Sequence, residues 1–145
     1  MQRKAQIFKR DGHINNKKIM TNNLLKVALA QISPVWLNKQ KTIEKIEKSI
    51  VDAAKESCEL IVFGEALLPG YPFWIALTNG AEWDSKTQKE MHAHYVRNSI
   101  TIEKGELDSI SALAKENNIA IYLGIMERAQ NRGGHSIYAS LVYVN

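Results

Sequence analysis

The sequence is poor in features that announce a chemistry. It holds a single cysteine, Cys58, so an internal disulfide is excluded and nothing points to an oxidising compartment. A cytoplasmic location is the expectation. No apolar run is long enough to cross a bilayer, and no secretory signal is expected, so a membrane is not among the expected partners. The phosphate-cradling patterns G-x-x-x-x-G-K-[ST] and G-x-G-x-x-G are both missing. His92 and His94 stand two residues apart, a spacing that points them to different faces of a helix, and His135 beside a glycine turn has no partner in sequence. Neither a metal site nor a cofactor is expected.

An excess of one charge is missing from most of the chain. The net charge is +4, but residues 1–24 hold Arg3, Lys4, Lys9, Arg10, Lys17 and Lys18 against only Asp11. The rest carries the other thirteen of nineteen bases and fourteen of fifteen acids, so it is close to neutral. The basicity belongs to an N-terminal arm over residues 1–24, which has little apolar periodicity and is expected to be disordered. A near-neutral body over residues 25–145 argues against a nucleic-acid partner. At 145 residues the chain can form one compact domain with a core.

What is present is an alternation of strand and helix signals. "LLKVALAQ" (24–31) is short, apolar and bounded by Ser33-Pro34, so it reads as a buried strand. Ile43, Ile46, Ile50 and Ala54 recur at spacings of three and four, one face of a helix from about Lys39 to Ser57. "ELIVF" (59–63) is a second strand, and the β-α-β unit so formed implies parallel pairing. Pro69-Gly70 and Pro72 forbid a continuous helix or central strand. Ser85 and Gln88 fit a capping box, with Met91, Tyr95 and Asn98 following on one face. A further helix is expected over about Glu106 to Glu116, ending left-handed at Asn117-Asn118. "IAIYLGI" (119–125) and "SIYASLVYV" (136–144) read as strands joined as a hairpin through Arg132-Gly133-Gly134. The fold class is α/β, with a mixed sheet.

One residue stands out by its place. Glu65 follows the strand Leu60–Phe63 at its carboxyl end, where chemistry gathers in open α/β sheets. Its sequence neighbours Phe63, Ala66, Leu67 and Leu68 are apolar and are expected to exclude water from it, which raises the cost of its charged form and suits a base. An acid capping the following turn is the competing structural reading. Cys58, at a helix end, reads as a small buried side chain rather than a nucleophile.

"VFGEALLPGYPFW" (62–74) resembles the glutamate motif of the nitrilase branch of the carbon–nitrogen hydrolase superfamily. "KVALAQISPVWLNKQKTIEKI" resembles that family's opening strand and helix, "YVRNSI" the segment before the next helix, and "IYLGIMER" with "GGHSIYASLVYV" its later strand and hairpin. The resemblance covers about residues 25–145. It implies the N-terminal half of an α-β-β-α sandwich, with helices on one face of the sheet. It also implies hydrolysis of a nitrile to a carboxylic acid and ammonia through a Glu-Lys-Cys triad without a cofactor, and a homo-oligomer at full length. By the same resemblance Glu65 is the general base of that triad, and Tyr71, Phe73 and Trp74 help shape the substrate pocket.

The departures matter as much. The family's lysine and nucleophilic cysteine follow the hairpin strand, and this chain ends at Asn145 before either position. Residues 25–145 are thus expected to be a partial domain holding one of three catalytic side chains, with little or no activity alone. The uncovered sheet is expected to expose an apolar face. Gly64 stands where a proline commonly precedes the glutamate, and Ala139 where an asparagine usually follows the tyrosine. An amidase of the same superfamily and a non-catalytic truncated module are the alternative readings. Glu127 and Arg128 are expected to form a structural pair.

Overall fold

The computed structural model describes the backbone of residues 6–8 and, in full, residues 24–80, 82–131 and 135–145. Of the basic arm, only Gln6–Phe8 and Leu24 fall among the described residues. The Arg132-Gly133-Gly134 turn lies outside them.

The described strands form one mixed sheet in the order β1 (Gln6–Phe8), β2 (Val27–Ala30), β3 (Leu60–Phe63), β4 (Ala120–Glu127) and β5 (Tyr138–Val144). β2, β3 and β4 run parallel, while β1 and β5 pair antiparallel at the two edges. The expected parallel β-α-β unit and the expected hairpin are both present. Between the strands lie α1 (Lys39–Lys55), the short α2 (Trp74–Leu77), α3 (Lys86–Asn98), a 3-10 turn (Ile102–Lys104) and α4 (Asp108–Asn117).

α1 forms where the threefold and fourfold spacing of isoleucines predicts it. Asn38 caps its first turn by accepting the Lys41 N–H at 3.0 Å. Thr42, fully buried, exchanges hydrogen bonds with the Val35 backbone at 3.1 Å, so the chain entering the helix is pinned. Ile43, Ile46 and Ile50 then meet Ala28, Ile61, Phe63, Ile121, Leu123 and Ile125 from the sheet and Ile110 and Ala114 from α4 in one core. Burial of each isoleucine stabilises the fold by ~1.5–3 kcal/mol. α4 ends at Asn118 in the left-handed conformation, φ 49°, as its Asn-Asn pair predicts.

The capping box at Ser85 is not formed. Ser85 occupies the N-cap position but its side chain makes no capping bond. Gln88 instead sends its amide to the carbonyl and hydroxyl of Thr78, at 2.7 and 3.0 Å. The free C-terminal end of α2 competes for the same side chain and wins it.

The sheet's two faces differ. Side chains alternate along β4, so Ile121, Leu123 and Ile125 enter the helix-side core and Tyr122, Gly124 and Met126 face the other way. On that second face Leu29, Tyr122, Leu141 and Tyr143 are 37, 36, 67 and 52% exposed. Toward the carboxyl ends of the strands, a second apolar cluster of Ala66, Trp74, Tyr95 and Met126 covers it. Among the described residues no helix is long and apolar enough to cross a membrane.

Candidate active site

β3 keeps its parallel register with β4 as far as Val62 opposite Tyr122, then leaves the sheet after Phe63. The chain returns at Leu68, which bridges Ile125 in parallel; its carbonyl accepts the Met126 N–H at 2.9 Å. Between the two contacts, residues 64–67 arch across β4, with Glu65 on the arch.

The residue beneath the arch is Gly124. A Cβ placed there would lie 2.3 Å from the Gly64 carbonyl oxygen, 2.7 Å from Glu65 Cα and 3.0 Å from Ala66 N. All three are backbone atoms that cannot rotate aside, so only glycine lets this backbone rest on the sheet. Since Gly124 alternates with core-facing Leu123 and Ile125, the arch lies on the face opposite α1 and α4.

Ala66 completes the reversal with φ 50°, a left-handed conformation that costs a residue with a Cβ ~1–2 kcal/mol. It is held by the Gly70 N–H, which donates to the Ala66 carbonyl at 2.9 Å, and by its methyl group in the second apolar cluster. A strained residue thus sits directly beside Glu65, the kind of placement that clusters at functional sites.

The expected exclusion of water from Glu65 is not met. Phe63, Ala66, Leu67 and Leu68 are all buried, but Glu65 itself is exposed. The reversal at Ala66 explains the difference. It turns Leu67 and Leu68 into the helix-side core, while Glu65 stays on the opposite face of the sheet. Apolar neighbours in sequence are not its neighbours in space.

The loop beyond the arch is fixed at several points. The Leu68–Pro69 peptide bond is cis. The Pro69 carbonyl accepts the Leu37 N–H at 3.2 Å, and the Tyr71 carbonyl accepts Trp36 Nε1–H at 3.0 Å. Gly70 has φ 117°, and a Cβ there would lie 2.6 Å from the Trp36 ring, so both conformation and space require glycine. The Tyr95 hydroxyl, fully buried, donates to the Gly70 carbonyl at 2.8 Å. Burial, with the Tyr71 phenol nearby, pushes the Tyr95 hydroxyl well above the ordinary tyrosine range, so it remains a donor.

The three aromatics expected at the pocket divide. Trp74 is buried, its ring centroid 4.7 Å from that of Tyr95 and 6.3 Å from that of Trp36. Tyr71 and Phe73 lie on the surface, 51 and 56% exposed, with ring centroids 5.1 Å apart.

Other candidates lie elsewhere. Cys58 is buried before β3, at the opposite end of that strand from Glu65, a separation of at least ~13 Å at strand rise. His92 and His94 are exposed on α3. Lys104 ends the 3-10 turn and is exposed. Glu127 accepts the Ser140 hydroxyl at 2.6 Å across the β4–β5 pair. With Ala129, Tyr138 and Ala139 these two residues line an open depression of about 410 Å³, to which Glu65 does not contribute.

Sequence reasoning missed the parts that hold the glutamate. A solitary glycine inside an apolar strand signals a close approach, so Gly124 was open to detection, though not what approaches it. The Tyr95–Gly70 and Trp36–Tyr71 hydrogen bonds span 25 and 35 residues and left no local signal.

Comparison with known proteins bears on this arrangement. Residues 26–145 match the family described as Carbon-nitrogen hydrolase. An arylacetonitrilase of Hypocrea virens is 34% identical over 125 residues, which is 86% of this chain and 35% of that protein. An arylacetonitrilase of Arthroderma benhamiae is 34% identical over 126 residues, covering 87% of this chain and 35% of the relative. An aliphatic nitrilase of Rhodococcus rhodochrous is 32% identical over 123 residues, 85% of this chain and 31% of the relative. The chain therefore spans about a third of the length of the curated relatives it matches.

Proposed function

Because this chain belongs to the carbon–nitrogen hydrolase family, we propose that it supplies the general base of a nitrilase-type hydrolase and that Glu65 is that base. The observation that carries the reading is the arch. A carboxylate at the carboxyl end of a parallel strand is held by a backbone that only glycine can receive, next to a left-handed alanine. Such positioning is more than a turn-capping acid requires.

The chemistry is nitrile hydrolysis to a carboxylic acid and ammonia. Glu65 accepts the proton of a cysteine thiol as the sulfur attacks the nitrile carbon and passes it to the nitrile nitrogen. The carboxylate so restored takes a proton from a first water and passes it on as the nitrogen leaves as ammonia. It then takes one from a second water that releases the acid and returns it to the sulfur. A lysine stabilises the charge developing on the substrate nitrogen. The thiol and the ammonium are those that the family resemblance puts after the hairpin. Tyr71 and Phe73 offer aromatic surface to the substrate, and buried Trp74 anchors the loop that presents them. The relatives' names, two arylacetonitrilases and an aliphatic nitrilase, favour a nitrile over an amide. The face that carries the arch is the one left exposed at Leu29, Tyr122 and Tyr143. In the sandwich that the family resemblance implies, a second layer covers that face and withdraws Glu65 from bulk water.

The test is a graft. Residues 26–145 replace the matching part of the Hypocrea virens arylacetonitrilase, and ammonia release is followed with an arylacetonitrile, an aliphatic nitrile and the corresponding amides. Nitrile turnover that is lost in Glu65→Gln supports the reading. A folded chimera equally active with glutamine at this position refutes it. Turnover of amides alone reassigns the chain to the amidase branch, and an inactive chimera with a native-like fold supports a non-catalytic module.

A further inference from the structure

The end of α2 holds a dipeptide with a chemistry of its own. Asn79 is followed by Gly80, and no other asparagine within the sequence stands before a glycine. A glycine nitrogen is the least hindered main-chain nucleophile toward the side-chain amide before it, because no Cβ stands in its way. Asn79 is exposed, so water and hydroxide reach it.

The end of α4 supplies a matched comparison. Asn79 and Asn118 are both exposed and both left-handed, with φ 51° and 49°. In each case the next N–H closes the helix end. Gly80 donates to the Ile75 carbonyl at 2.9 Å, and Ile119 to the Ala114 carbonyl at 3.1 Å. The two ends differ in what backs them. Ile119 is buried and β-branched, and α4 carries Ile110 and Ala114 into the core. α2 is a single turn of four residues in which only Trp74 is buried, while Leu77 is 80% exposed. Opening the end of α4 disturbs the core. Opening the end of α2 breaks a few exposed hydrogen bonds, a local event that costs far less than global unfolding.

We propose that Asn79–Gly80 is a self-modification site, at which the folded chain converts Asn79 to aspartate and isoaspartate through opening of the α2 end alone. The Gly80 nitrogen, released from Ile75, gives its proton to hydroxide and attacks Asn79 Cγ. The new C–N bond closes a succinimide ring. The Cγ–Nδ2 bond breaks, and Nδ2 takes a proton from water and leaves as ammonia. A second water opens the ring, at Cγ to give aspartate or at the main-chain carbonyl carbon of Asn79 to give isoaspartate. In isoaspartate the main chain runs through Cγ and is longer by a carbon, so the Gly80–Ile75 closure is lost. Either product also sets a negative charge beside the last carbonyls of α2. The turn that directly follows Tyr71 and Phe73 is thereby loosened. Nothing in this depends on the role of Glu65.

The test is a timed incubation at mildly alkaline pH, read by peptide mass and by enzymatic methylation of isoaspartate. In buffer the chain is expected to convert at Asn79 at least roughly tenfold more slowly than in denaturing urea, because Ile75 holds the nucleophile until the end opens. Asn118 is expected to stay an amide in buffer. Urea below the unfolding transition is expected to leave the native rate nearly flat, since a local opening exposes little surface. The modified chain is expected to lose amide-exchange protection at Gly80 and keep it at Ile119. Asn79→Gly, which suits the left-handed conformation, is expected to abolish both products and keep the fold. An Asn79 that stays intact in buffer overturns the proposal. So do a native rate equal to the unfolded one, a rate that climbs with urea in step with global unfolding, and equal conversion at Asn118. Should the chain alone not hold its fold, the same readouts on the graft with the Hypocrea virens enzyme decide.

Discussion

Adding one methyl group at Gly124 is expected to displace Glu65. The Cβ of Gly124→Ala would lie 2.3 Å from the Gly64 oxygen, against 3.4 Å for the start of ordinary contact, so the arch or the strand must give by about 1 Å. Overpacking of this kind costs ~1–3 kcal/mol. Part of that is offset, because alanine lowers the entropy of the unfolded chain and so favours folding by ~0.4–1 kcal/mol. The net expectation is a loss of ~1–2 kcal/mol in urea denaturation, with amide shifts in 1H–15N spectra concentrated at Gly64, Glu65 and Ala66.

Gly64→Ala supplies the control. The chemical change is the same and the two glycines are neighbours in space, but a Cβ on Gly64 meets nothing within 4 Å and its φ is not left-handed. Only the entropic benefit remains, so this variant should gain ~0.4–1 kcal/mol. In the graft with the Hypocrea virens enzyme, a misplacement of about 1 Å at Glu65 should cost Gly124→Ala ~10²-fold in turnover, while Gly64→Ala stays near the parent. If the two variants are equally stable and their spectra equally undisturbed around residue 65, the arch does not rest on Gly124 and the argument for a positioned carboxylate fails.

Tyr95→Phe removes the donor to the buried Gly70 carbonyl and should destabilise the chain by ~1–3 kcal/mol. It should also flatten the alkaline limb of stability. The native state holds the Tyr95 proton above the ordinary tyrosine value of 10.0, so the unfolded chain releases it first and stability falls as pH rises past about 10, by up to ~1.4 kcal/mol per pH unit. Urea midpoints from pH 9 upward in both proteins check this, and an unchanged slope in the variant removes Tyr95 from the account. Trp74→Ala should cost ~3–5 kcal/mol, because it empties the cluster between Trp36 and Tyr95. Phe73→Ala, on the surface, should stay within ~0.5 kcal/mol; a large loss there would show that Phe73 supports the loop.

The fold was legible wherever periodicity carried it. Three apolar runs and one face of isoleucines fixed β2, β3, β4 and α1 to within a few residues, because each buries a face whose spacing repeats along the chain. Asn118 was legible for a different reason, its tolerance of the left-handed region. The reading failed at Gln88, where a local capping pattern lost to Thr78, a partner ten residues back. A three-residue spacing says what a side chain can reach, not what else competes for it.

The site was legible as a position but not as an environment, and Glu65 shows why. Its sequence neighbours are apolar, and in regular strand or helix their burial would have predicted its own. The chain is not regular there. One left-handed residue, Ala66, divides the run, so that Phe63, Leu67 and Leu68 join the helix-side core and Glu65 does not. Alanine has no preference for that conformation, so nothing local marks the reversal. Its cause is distributed over the glycine beneath it on β4, the Gly70 amide and the Tyr95 hydroxyl, contacts that exist only once β3, β4 and α3 have assembled. The motif places the carboxylate at a strand end, and tertiary packing decides which face of the sheet it serves.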